Sequence, residues 1–103
     1  MKRVEFKFLD FDTMDEEPVK TTVLGYIDVE SNIGYYNDKF DGHASFGWVS
    51  IDLATGLEII RHANTLKECK EATHKRYGDI IKIRNSNNYQ RLIDKFNNAK
   101  EKF

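Results

Sequence analysis

The sequence is poor in cysteine and proline and contains no long hydrophobic run. Cys69 is the only cysteine, so no internal disulfide can form, which is typical of proteins kept in a reducing compartment. No apolar stretch approaches the roughly 20 residues that a transmembrane helix needs, and the N-terminus lacks the apolar core of a signal peptide. We therefore expect a cytoplasmic protein with no membrane partner.

Motifs that carry catalytic or metal chemistry are also missing. No Cys-x-x-Cys or His-x-x-x-His pair is present, residues 10–17 lack the glycine that a calcium loop needs, and no glycine-rich phosphate-binding loop occurs. Cys69 stands where a small apolar residue of a helix would, which is typical of a buried, unreactive thiol. We predict a protein that is not an enzyme and that holds neither a cofactor nor a metal.

What the chain has is the composition of a folded soluble domain and an uneven distribution of charge. It has 103 residues, 40% hydrophobic and 32% charged, and this predicts a single domain over residues 1–103. Residues 1–60 carry twelve acidic side chains against five basic ones, whereas residues 61–103 carry eleven basic side chains against five acidic ones. The resulting net charges of −7 and +6 point to charged partners.

Alternating apolar side chains predict the strands. They cover residues 2–9, 19–29, 44–53 and 57–62. The first two are expected to form an antiparallel pair, with Gly25 marking a bulge or a close backbone approach. The last two form a hairpin around the turn at Gly56, and its first strand has apolar groups on both faces, as an interior strand does. Residues 30–43 are interpreted as a loop.

Two helices are predicted after the hairpin. Thr65-Leu66-Lys67-Glu68 fits a capping box that begins a helix, and Gly78 ends it after about Tyr77. Residues 79–84 are interpreted as a short fifth strand, and an amphipathic pattern predicts a last helix over about 88–101. The expected fold is α+β: an antiparallel sheet of four to five strands with two helices packed on one face, in the order ββββα(β)α.

The acidic run Asp10–Glu17 allows two interpretations. Such a run most often forms a solvated loop that prevents an edge strand from pairing with other chains. Alternatively, its carboxylates replace the phosphates of a nucleic acid and bind a basic surface of a partner. In this second case a further loop adds carboxylates, and two tyrosines act as aromatic anchors. The candidate partner-binding residues are Asp10, Asp12, Asp15, Glu16, Glu17, Tyr35, Tyr36, Asp38 and Asp41.

The basic helical half supports an alternative function, which is direct binding of nucleic acid. Some of its charge is offset within the helix, since Glu71 lies four residues from both Lys67 and Lys75. The remaining cations would contact phosphate oxygens. The candidate residues for this alternative are Arg76, Lys82, Arg84, Arg91 and Lys95.

The hairpin and the helix that follows it resemble a known DNA-binding arrangement. Residues 47–60 and 64–72 are similar in order to the strand–turn–strand–helix of AP2-type and integrase arm-type domains, which lay a three-stranded sheet into the major groove. Those sheets present Arg and Lys, whereas this hairpin offers Arg61 against Asp52 and Glu58, and DNA repels acidic groups.

A second resemblance is one of type. A short, Lys-, Asn-, Ile- and Tyr-rich chain without catalytic residues is similar to the small accessory proteins of phages and mobile elements, anti-CRISPR inhibitors among them. That resemblance implies an inhibitor that occupies the nucleic-acid-binding surface of a host enzyme. A homodimer built on a sheet edge or on the last helix is compatible with either function.

Overall fold

A computed structural model describes residues 3–11, 17–38 and 47–101. In this part of the chain, five antiparallel strands form one sheet in the order β1-β2-β3-β4-β5, and three helices follow them. The α+β class and the antiparallel sheet are as predicted, but the sheet has five strands without residues 79–84, and there are three helices instead of two. The elements are β1 (Val4–Asp10), β2 (Val19–Asp28), β3 (Ile33–Asp38), β4 (Gly47–Asp52), β5 (Leu57–Ala63), α1 (Leu66–Lys75), α2 (Tyr77–Arg84) and α3 (Tyr89–Asn98).

The β1–β2 hairpin diverges from the rest of the sheet at Gly25. β2 pairs with β1 from Val19 to Gly25 but with β3 only from Tyr26 to Asp28. Where β2 changes its partner from β1 to β3, the backbones of Gly25 and Tyr35 lie close together, because a Cβ atom at residue 25 would lie 2.1 Å from the carbonyl oxygen of Tyr35. The predicted close backbone approach at Gly25 is therefore confirmed.

The two faces of the sheet contribute to two separate cores. One core contains Phe6 and Phe8 of β1 packed with Tyr36, Val49 and Ile51. The other contains residues of the opposite face, packed against α1 and α2; its buried members are Ile33, Tyr35, Cys69 and Ile80. The prediction that β4 is an interior strand with apolar groups on both faces is thus confirmed, and Cys69 is buried, as its position indicated.

The interpretation of residues 30–43 as a loop is wrong for its central part. Residues 33–38 form β3, which pairs with β2 on one side and with β4 on the other. Residues 33–36 are all buried, so a strand covered on both faces shows no alternation of apolar and polar side chains.

Residues 79–84, interpreted as a strand, form most of helix α2. α1 ends at Lys75, two residues before the predicted end at Tyr77, and α2 begins at Tyr77 after Arg76. The helical conformation buries Ile80 against the sheet and leaves Ile81 and Ile83 exposed. At the N-terminus of α1 the predicted cap is confirmed, since the Thr65 side chain accepts a hydrogen bond from the Glu68 N–H.

The C-terminal end of helix α3 packs against the β4–β5 turn, and the residues that follow the helix contact the β1–β2 hairpin. The ring of Phe96 packs against Gly56 of the β4–β5 turn, where φ is +68° and a Cβ would lie 2.4 Å from the ring. The Lys20 amide donates to the carbonyl of Lys100 at 2.7 Å, and Glu101 pairs with Lys7. None of the helices in the described residues is long and apolar enough to cross a membrane.

Candidate functional site

Tyr36 lies in the core between the β1–β2 hairpin and the main sheet. Its ring stacks on Phe8 with centroids 5.1 Å apart and contacts the edge of Phe6 at 6.2 Å. Only 5% of its surface is exposed. The phenol is thus held rigidly by aromatic packing.

Carboxylates from three separate strands act on this phenol. Burial raises the pKa of Tyr36 above its ordinary value, and Asp38, Glu58 and Asp10 raise it further, while Arg61 opposes them. Glu58 itself pairs with Arg61, with 2.7 Å between Oε2 and the guanidinium Nε. We call Asp10, Asp38, Glu58 and Arg61 the Tyr36 rim. With three carboxylates and one guanidinium, it has an excess of negative charge.

The structure brings together three of the predicted partner-binding residues. Asp10 and Asp38 lie two residues after Phe8 and Tyr36 on their strands, so they face the same side of the sheet as that stacked pair, although the two strands are not neighbours in the sheet. Glu17 is exposed just before β2. The remaining acidic candidates lie outside the described residues: Asp12, Asp15, Glu16 and Asp41.

The role of Tyr35 and Tyr36 as aromatic anchors on the surface requires correction. Both are only 5% exposed. Because they are adjacent in a strand, their rings point to opposite faces of the sheet, and Tyr35 packs in the second core with Cys69. Neither ring has enough exposed surface to act as an aromatic anchor for a partner.

The basic candidates for nucleic-acid binding are spread over the three helices. Arg76 follows α1, Lys82 lies on α2, and Arg91 and Lys95 lie on α3, all of them exposed. Arg84 differs, because its guanidinium pairs with Asp52 at 2.9 Å and its side chain is only 21% exposed. The Arg84 guanidinium is therefore already paired within the protein and is not available to bind a phosphate.

Sequence reasoning missed a polar network at the end of β4. Asp52 is a buried residue, and its carboxylate accepts hydrogen bonds from Thr55 at 2.8 Å, from Arg84 at 2.9 Å and from Tyr89 at 2.7 Å. Arg84 ends α2 and Tyr89 begins α3, so a single buried carboxylate joins both helices to the sheet. The sequence had indicated only an acidic residue on a hairpin.

A groove between α1 and the β2–β3 turn was also missed. It has a volume of about 870 Å³, within the range of small-molecule sites. Ile27, Ile33, Tyr35 and Tyr77 give it apolar walls, and Lys70 places its ammonium 5.8 Å from the centre of the Tyr35 ring. We call this feature the α1 groove. Its walls come from segments about forty residues apart, so no local pattern marks it.

Within residues 3–11, 17–38 and 47–101, no three His, Cys, Asp or Glu side chains are grouped so that they could hold a metal ion. Comparison of the chain with models of protein families, with curated proteins and with solved structures finds no match.

Proposed function

We propose that this protein is a non-catalytic inhibitor, encoded by a phage or mobile element, that binds the basic nucleic-acid-binding surface of a host enzyme such as a CRISPR effector nuclease. The observation that carries the proposal is that strand alternation and register place Asp10, Asp38 and Glu58 on the sheet face that buries Tyr36 and Phe8. The acidic residues Asp12 and Asp41 follow Asp10 and Asp38 closely in the sequence.

The packed aromatic core beneath the carboxylates favours this function over the other interpretation, a solvated acidic loop. Fixed carboxylates can stand in for the phosphates of a nucleic acid only if their spacing is maintained, and the packed Phe8–Tyr36 pair supplies that rigidity. Attraction between opposite charges accelerates association and weakens as salt is added. Of the five basic candidates for direct nucleic-acid binding, Arg84 is paired with Asp52, so its guanidinium is not available to contact a phosphate.

The proposal is tested by competition with DNA. A CRISPR effector nuclease loaded with its guide RNA is titrated with labelled target DNA in the presence of the protein or of the double variant Asp10→Asn, Asp38→Asn. We expect the native protein to displace DNA and the variant to do so at least about tenfold less well, which corresponds to about 1.4 kcal/mol. The matched control is Asp79→Asn, Asp94→Asn, which makes the same charge change on the exposed surface of α2 and α3.

Two results would contradict this function. If the acidic-surface variant and its control displaced DNA equally well, the Tyr36 rim would not be the contact. If the protein itself bound the DNA in a salt-sensitive manner, and Arg91→Gln with Lys95→Gln removed that binding, the basic helices would be the functional surface.

The α1 groove favours a second candidate function, which is binding of a small organic ligand. Its volume of about 870 Å³ and its apolar walls are the supporting observations. Screening of a fragment library by thermal shift would test this candidate, with Ile33→Ala as a variant that alters the groove wall and Ile81→Ala, an exposed position of α2, as the control. Hits that stabilise both variants as strongly as the native protein would count against the groove.

A further inference from the structure

The α1 groove is bounded by two continuous segments of the described chain. One wall comes from residues 27–35, at the β2–β3 turn, and the other from residues 70–77, at the end of α1. We call them the turn wall and the helix wall. The structure describes every residue of both segments, so the chemistry of the whole lining can be considered.

The two walls carry charges of opposite sign. The ionisable lining residues are Asp28 and Glu30 on the turn wall and Lys70, Glu71, His74 and Lys75 on the helix wall. The turn wall is therefore acidic, whereas on the helix wall two lysines outweigh one carboxylate. Within the described part of the chain no ion pair joins the two walls, so their charges do not neutralise each other by direct contact.

Asp28 lies on the side of the sheet that faces α1. It is opposite Ile33 in the β2–β3 pair, so the two share a sheet face, and Ile33 packs in the core with Cys69 of α1. The Oδ1 atom of Asp28 accepts a hydrogen bond from the Glu30 N–H at 3.1 Å. Asp28 is only partly exposed, and a partly desolvated carboxylate without a cation favours the binding of one.

Lys70 is held on the opposite wall, above a neighbour of Asp28. Its ammonium lies 5.8 Å from the centre of the Tyr35 ring. Tyr35 and Asp28 are diagonal neighbours of paired strands, and the Cα atoms of such residues are about 7–8 Å apart. The cation and the carboxylate therefore lie over adjacent parts of the same sheet face with a gap between them, which a molecule carrying both charges can bridge.

Ser31 adds a polar atom without a partner to the turn wall. Its Oγ is buried and forms no hydrogen bond with any described residue, and Ser31 lines the groove. Buried hydroxyls are normally hydrogen-bonded, and an unpaired one calls for an explanation. A ligand ammonium near Asp28 would supply a donor for this oxygen.

We propose that the α1 groove binds a zwitterionic small molecule with an apolar body. Its cationic group contacts Asp28 and Ser31, its anionic group contacts Lys70, and its body packs on Ile33 and Tyr77. A ligand with a single charge would be attracted by one wall and repelled by the other. The inference rests on the second candidate function, because it names the class of ligand that the groove takes.

The test compares four fragments that share a benzyl or phenyl body and differ in charge. They are para-aminomethylbenzoate, which is zwitterionic, benzylamine, benzoate and the neutral benzyl alcohol. Each is titrated into the full chain, and the amide resonances of residues 28–35 and 70–77 are followed by NMR. We expect the zwitterion to bind at least about tenfold more tightly than each of the other three.

Two variants assign the charges of the ligand to the walls. Asp28→Asn keeps an acceptor for the Glu30 N–H but removes the charge, so it should weaken binding of the zwitterion and of benzylamine but not of benzoate. Lys70→Gln should weaken binding of the zwitterion and of benzoate but not of benzylamine. The matched controls are Asp79→Asn and Lys67→Gln, exposed positions outside the groove, which should leave all four affinities unchanged.

The other outcomes overturn the inference in distinguishable ways. If benzyl alcohol or a singly charged fragment binds as tightly as the zwitterion, the groove is a ligand site of another class, and the second candidate function is retained. If neither the four fragments nor the library shifts these resonances, both fail. Shifts of the same amides that increase with the concentration of the free protein would indicate a second copy of the chain in the groove. If a variant does not fold, the fragment series on the native protein decides the question.

Discussion

Arg84 and Asp52 form an ion pair that joins the last residue of α2 to the last residue of β4, with 2.9 Å between Nη2 and Oδ1. Both side chains are largely buried, at 21% and 10% exposure. A buried charge that loses its partner is costly, because solvent can no longer compensate for it. The pair therefore helps to hold α2 on the sheet, together with the buried side chain of Ile80.

Replacing Arg84 with methionine keeps an unbranched apolar side chain but leaves Asp52 without its cation. We expect Arg84→Met to lower the free energy of unfolding by roughly 2 to 3 kcal/mol, measured by urea denaturation. Arg91→Met is the control, because Arg91 is an exposed arginine of α3, and it should stay within about 0.5 kcal/mol of the native protein. Equal stability of the two variants would show that the ion pair does not hold α2.

High pH should destabilise the protein through Tyr35, which is buried, and Tyr89, which is partly buried. Burial and then the hydrogen bond to Asp52 raise the pKa of Tyr89 to about 12, and burial followed by Asp28 raises that of Tyr35 to about 12. A tyrosine with a raised pKa in the folded state stabilises the fold below its ordinary pKa near 10, and this contribution is lost as the pH rises toward 12.

Tyr89→Phe removes one of these contributions. At neutral pH we expect it to lower the free energy of unfolding by about 1 kcal/mol, since one hydrogen bond to a carboxylate is lost. Between pH 10 and 12 the free energy of unfolding of the variant should decline less steeply than that of the native protein. The two slopes should differ by up to about 1.4 kcal/mol per pH unit. Urea denaturation at a series of pH values measures both effects, and parallel pH profiles for the two proteins would contradict the role of Tyr89.

Two glycines should respond to alanine in opposite directions. A Cβ at Gly25 would meet the carbonyl oxygen of Tyr35 at 2.1 Å, whereas a Cβ at Gly78 of α2 has no atom within 4 Å. We expect Gly25→Ala to destabilise the protein by about 1 to 3 kcal/mol and Gly78→Ala to stabilise it by about 0.5 kcal/mol. Thermal unfolding of both variants, followed by circular dichroism, provides the comparison. A stable Gly25→Ala protein would mean that the hairpin does not approach β3 closely.

The sequence predicts the elements that show a regular pattern and misses those that tertiary contacts decide. β1 alternates apolar and polar residues, and α1 has the Thr65–Glu68 cap, so both are found close to their expected bounds. β3 is buried on both faces and has no alternation to detect. In α2, the alternation of Ile81 and Ile83 with charged residues resembles a strand pattern. In the structure this segment is a helix, in which Ile80 packs on the sheet and Arg84 donates a hydrogen bond to Asp52.

The candidate site depends on chain geometry that local patterns do not contain. The sequence marks Asp10 and Asp38 as acidic residues of two separate loops. Asp38 shares β3 with Tyr36, and the stacking of Phe8 on Tyr36 brings the end of β1, with Asp10, to the same side. Glu58 of β5 lies on the same sheet face, and nothing in the sequence besides its charge indicates that position. Tyr35 and Tyr36 could be assigned to opposite faces only once residues 33–38 were known to form a strand.

The thiol of Cys69 should report on the separation of α1 from the sheet. Cys69 has no exposed surface, and burial raises its pKa, so both access and thiolate formation are suppressed. Thr73, one helical turn later, lies within 2.8 Å of Ser50 Oγ on β4 and ties α1 to the sheet.

Labelling with a thiol-reactive reagent tests this prediction. We expect the native protein to react far more slowly than the urea-unfolded chain. Thr73→Val should accelerate labelling by about tenfold, because the loss of one buried hydrogen bond costs about 1 kcal/mol and the Ser50 hydroxyl is left without this partner. Thr22→Val is the control, since Thr22 is exposed and distant from α1. Rapid labelling of the native protein would show that α1 does not cover Cys69 in solution.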